Sequence, residues 1–100
     1  MNRFAKLLTE DRRATILQAL LASGAYTAGE SVLDVFLSSC GYKLSADQLR
    51  TELAWLAEQG LITIRTIEQA DMQIATLTRR GQDVAEGRAV VPGVKRPSAL

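Results

Sequence analysis

At Gly60 the hydrophobic period of this chain changes, and that change leaves few folds open. Before Gly60 the apolar residues recur at helical spacing. After it, Leu61-Ile62-Thr63-Ile64-Arg65-Thr66-Ile67 is rich in β-branched residues and reads as a strand. The polar run Glu68-Gln69-Ala70-Asp71 can turn the chain, and Met72 to Leu77 can return as the antiparallel partner. An isolated hairpin is marginal in water, so it must pack on helices.

Those helices are placed by their punctuation. The spacing predicts a first helix from about Thr9 to Ser23, with Ile16, Leu17, Leu20 and Leu21 as its buried stripe. Phe4, Leu7 and Leu8 read as a helical preamble on the same core. Thr27-Ala28-Gly29-Glu30 reads as a capping box opening a second helix, whose stripe is Val32, Leu33, Phe36, Leu37 and Cys40. Gly41 supplies its left-handed stop. Ser45-Ala46-Asp47-Gln48 is a second capping box, followed by Leu49, Leu53 and Leu56 and ended by Gly60. A last helix runs from a Thr78 cap to about Gly87, where Arg79 and Arg80 sit poorly at the positive end of the dipole. The expected fold is mainly α with a small β-hairpin, in the order helix, helix, helix, hairpin, helix. That is a winged helix-turn-helix, spanning residues 1–88. Pro92, Gly93 and Pro97 make residues 89–100 an extended, mobile basic tail.

The inventory argues against catalysis. The 100 residues include no histidine, which removes the commonest general base and the commonest zinc ligand. The single cysteine, Cys40, has no histidine partner and falls on an apolar stripe, as a buried small hydrophobe would. No glycine-rich phosphate loop occurs. Neither an enzyme, a cofactor nor a metal site is expected. The stretch Ala14 to Ala22 is interrupted by Thr15 and Gln18 and is far short of the roughly 20 apolar residues of a membrane span. With one cysteine and no signal-peptide core, a cytoplasmic protein is expected.

The net charge of +1 conceals an asymmetry. Residues 1–13 carry four bases against two acids, and residues 78–100 carry five against two. Residues 30–76 carry three bases against seven acids. The middle is acidic and both ends are basic.

In helix-turn-helix proteins the second helix of the motif lies in the major groove and offers polar side chains to base edges. Here these would be Ser45, Gln48, Arg50 and Thr51, with Gln48 suited to adenine, Arg50 to guanine and Thr51 to a phosphate or thymine methyl. Structural roles are equally open to them: Gln48 as half of a capping box, Arg50 in an ion pair on a solvated face. Charge argues against DNA, because Asp47, Glu52 and Glu58 face Arg50 alone on this helix. The missing bases can come from Arg12 and Arg13, from Arg79 and Arg80, or from Lys95 and Arg96. Trp55 lies off the leucine stripe, either as a cover beneath the hairpin or as a contact for a partner.

LRTELAWLAEQGLITI, the hairpin and ATLTRRGQDVAEGR resemble the winged helices of ArsR-type bacterial regulators. Together with EDRRATILQAL, GESVL and the terminal PGVKRP, they resemble more closely a group of small winged-helix proteins of Mu-like phages and prophages. That resemblance implies a DNA-binding transcriptional regulator. The cysteines and histidines by which ArsR-type sensors bind metal are missing from the third helix. The leading expectation is therefore binding of double-stranded DNA through Ser45, Gln48, Arg50, Thr51, Lys95 and Arg96, with a homodimer as a possible state. The alternative is a winged-helix module that binds protein.

Overall fold

A computed structural model describes residues 2–97. The chain is mainly helical with a small antiparallel sheet. Helix α1 (Arg3–Ala22) is followed by strand β1 (Thr27–Gly29), helices α2 (Glu30–Ser39) and α3 (Ala46–Glu58), strands β2 (Ile62–Ile67) and β3 (Met72–Leu77), and helix α4 (Arg79–Ala85). The sheet order is β1-β3-β2, with both pairs antiparallel.

Local chemistry accounts for the joints. Ser45 Oγ accepts from the Gln48 amide while Gln48 Oε1 accepts from the Ser45 amide, the reciprocal cap expected at the start of α3. Gly41 and Gly60 both have positive φ and close α2 and α3 in the same way. At each end the glycine amide donates back three residues and the next amide donates back five, to Leu37 and Leu56 respectively. The Thr78 side chain caps α4 by accepting from the Gly81 amide.

The core gathers Ile16, Leu17 and Leu20 of α1, Leu33 and Leu37 of α2, and Leu49, Leu53 and Leu56 of α3 beneath Ile62, Ala75 and Leu77 of the sheet. Val84 and Ala85 of α4 close it.

Five expectations need correction. Val32, expected on the buried stripe of α2, is exposed. Helix α1 begins at Arg3, capped by Asn2, and its first turns do not pack: Phe4, Leu7 and Leu8 are exposed. Thr27 does not cap α2. Residues 27–29 pair with β3 as a third strand, Thr27 Oγ1 hydrogen-bonds within the loop and to Thr76, and the cap is Gly29. Cys40 is exposed, because α2 ends at Ser39 and leaves it in the cap. The stretch after Arg88 has no regular structure but is packed, with Val91 and Val94 buried in the core. The last three residues of the expected tail lie outside the described residues.

Candidate functional site

The exposed side of α3, the start of α2 and the tip of the β2–β3 hairpin face one another across a cleft of about 540 Å³. Its walls carry the carboxylates of Glu30, Asp34, Asp47 and Asp71 and one base, Arg50. Leu44, Leu49 and Met72 supply its apolar lining.

Arg50 is fully engaged. Its Nε and Nη2 each donate to Glu30 at 2.8 Å, a bidentate pair, and Nη2 also donates to the Asp71 carbonyl at 2.7 Å. The Asp71 carboxylate stands 3.5 Å from Nη1. Glu30 further accepts from the Gln73 amide at 2.6 Å, so one carboxylate joins α2, α3 and β3. The hydrogen bond from Arg50 holds the Glu30 carboxyl below its ordinary pKa, and Glu30 in turn holds the Arg50 guanidinium above its own. Glu30 therefore stays ionised and Arg50 charged.

The other expected contact residues divide. Ser45 and Gln48 are exposed but occupied in the reciprocal cap, and Thr51 donates back to the Asp47 carbonyl. Lys95 is held against α1: its amide donates to the Glu10 carbonyl and its ammonium stands 3.4 Å from Asp11. Arg96 is exposed beside it. The structure thus brings Ser45, Gln48, Arg50 and Thr51 together on α3 and places Lys95 and Arg96 against α1.

Two of the bases offered as reinforcements are spent inside the protein. Glu52, 2% exposed, accepts from Arg12 Nε and from Arg13 Nε, the latter at 2.8 Å. The Arg13 guanidinium also lies 3.9 Å from the centroid of the Trp55 ring and donates to the Gly93 carbonyl. Gly93 is needed there, since a Cβ would come within 2.7 Å of the indole. Trp55 is therefore a cover, but beneath the C-terminal stretch rather than the hairpin. Arg80 donates to the Gln59 carbonyl from the start of α4. Among the described residues, Arg3, Lys6, Lys43, Arg65, Arg79, Arg80 and Arg96 are exposed and make no ion pair, and of these Lys43 and Arg65 lie on the α2–α3 connection and the hairpin.

Sequence reasoning missed Glu52, although a signal was present. It stands three residues after Leu49 and four before Leu56, on the buried stripe itself. A carboxylate at that spacing demands a cationic partner from another element.

The fold and this cleft define a small helical domain with a three-stranded sheet and a charged surface built on α3. Relatives are found among phage and bacterial proteins. The chain is 48% identical over 91 residues to the uncharacterized protein gp26 of Escherichia phage Mu, covering 91% of this chain and 92% of that one. It is 40% identical over 77 residues to an uncharacterized protein of Haemophilus influenzae, covering 77% of this chain and 74% of the relative. The chain belongs to the family of phage Mu gp26. Neither a family model nor a solved structure matches it.

Proposed function

We propose that this chain is a winged-helix interaction module of the phage Mu gp26 family, and that its α2–α3–hairpin cleft takes a protein partner with basic side chains. The element order, with sheet order β1-β3-β2, supports the winged-helix reading. On that reading α2 and α3 form the helix-turn-helix and β2–β3 the wing.

One observation carries the choice of partner. The surface that would meet a phosphate backbone carries four carboxylates around a single arginine, and that arginine is clamped by Glu30 and Asp71. Duplex binding depends on neutralising phosphates with free bases, and here the charge has the opposite sign. The module would act in the cytoplasm of a bacterial host, where an exposed free thiol such as Cys40 persists reduced.

A second reading, a DNA-binding regulator, draws on Lys43 and Arg65, exposed bases on the α2–α3 connection and the wing. A mobility shift on random duplex DNA at stepped salt concentrations separates the two. The protein-binding reading expects no retarded band even at low salt. A retarded band that fades as salt rises would replace it with the regulator.

A further inference from the structure

Helix α1 carries one side-chain stripe with two unlike halves. Phe4, Leu7 and Leu8 are 70%, 54% and 40% exposed and stand clear of the body. Beyond Asp11 the same stripe continues as Ala14, Thr15 and Gln18, at the spacing that keeps residues on one helical face. This second half floors a groove of about 390 Å³, walled by Phe36 of α2 on one side and by Val84, Val94 and Pro97 on the other.

We propose that two copies of this chain pair through antiparallel α1 helices, each filling the other's groove with Phe4, Leu7 and Leu8. Large exposed apolar clusters on a small domain mark interaction surfaces, and this chain holds both the projection and the recess. Their positions match in register. Phe4 lies seven residues before Asp11 and Gln18 seven after it, about 10 Å of helix either way. A two-fold axis at Asp11 therefore sets Phe4 against Gln18, Leu7 against Thr15 and Leu8 against Ala14 of the other copy. Such a contact is isologous and closes.

Two polar groups on the groove floor are already engaged. Thr15 Oγ1 donates to the Asp11 carbonyl, and Gln18 Nε2 donates to the Ala85 carbonyl at 2.7 Å. Asp11, at the axis, accepts from the Tyr42 hydroxyl and pairs with Lys95, so two of them meet with compensating charge. This surface is separate from the α3 cleft, so its test stands whatever the cleft binds.

The full chain should run as a dimer in size-exclusion chromatography with light scattering at tens of micromolar. Leu7→Glu with Leu8→Glu should weaken association at least tenfold while leaving the far-ultraviolet circular dichroism unchanged. A monomer at high micromolar concentration, or a double variant that remains dimeric, would overturn the proposal. Register is tested in a Cys40→Ser background. Leu8→Cys with Ala14→Cys should give a covalent dimer on mild oxidation. Neither single substitution should, since equivalent residues would lie about 9 Å apart along the helices, beyond disulfide reach. Efficient cross-linking by Leu8→Cys alone would refute the antiparallel register.

Discussion

Glu52 and Glu30 perform the same operation in two different settings. Each carboxylate gathers arginine from elsewhere in the sequence: Glu52 takes Arg12 and Arg13 from α1, and Glu30 takes Arg50 from α3. Glu52 is buried between helices, whereas the Glu30–Arg50 pair borders the open cleft with Arg50 one-third exposed. Burial decides what each pair is for. A buried carboxylate stripped of partners cannot be rehydrated, so the Glu52 cluster locks α1 to α3. A pair at the surface exchanges with water at small net cost, so the Glu30 cluster mainly sets the charge and shape of the cleft.

Breaking the inner cluster gives the largest expected effect. Glu52→Ala leaves two arginines against the core and should cost about 3–5 kcal/mol, read from urea unfolding. A loss no greater than that of a surface substitution would mean that water reaches this cluster. Leu53→Ala, one residue along on the same buried stripe, should cost about 2–5 kcal/mol through its cavity alone. It calibrates the ionic loss against an apolar one.

The outer cluster should respond in binding before it responds in stability. Glu30→Gln with Asp71→Asn frees Arg50 and removes two negative charges from the cleft. Duplex-DNA affinity should then rise at low salt, with the salt slope steeper by about one. No gain in affinity would mean that the acidic clamp does not govern duplex binding. Ser45→Ala, which removes the α3 cap without touching either cluster, should cost about 1 kcal/mol in thermal unfolding.

The smallest effect is a difference in pH dependence. The folded Glu30 carboxyl lies below its ordinary value of 4.5, chiefly through the hydrogen bond from Arg50. Its contribution is present above that value and is lost as pH falls through the lowered one. Tyr42 runs the other way. Burial first, then its hydrogen bond to Asp11, pushes its pKa from 10.0 up to about 12. Its contribution is present below pH 10 and is lost as pH rises toward about 12. Glu30→Gln should flatten the acid limb of a melting-temperature profile, and Tyr42→Phe the alkaline limb. If each substitution flattened the opposite limb, these linkages would be assigned to the wrong groups.

Legibility in the sequence followed the range of the interaction. The α3 cap, the glycine stops at Gly41 and Gly60, and the hairpin turn near Asp71 are settled within five or six residues, and they stand where the spacing put them. Thr27 misled because a strand partner 49 residues away competed with the local cap and won. The leucine stripe of α3 correctly placed Leu53 at the centre of the core. The same stripe included Glu52 without revealing what would neutralise it.

The sequence by itself determined the order of the helices, the cap of α3, the glycine stops of α2 and α3, the change to a hairpin and the excess of acid between residues 30 and 76. Those features depend on backbone periodicity, capping and composition, which neighbouring residues carry among themselves. Only the tertiary structure decided which charges remain available. Arg12 and Arg13 read as spare bases along the chain, and Arg50 as either a base reader or half of an ion pair, and each is taken by a carboxylate at least 20 residues away. Coulombic attraction and desolvation act through space, so a charge acquires its meaning only when folding has chosen its neighbour.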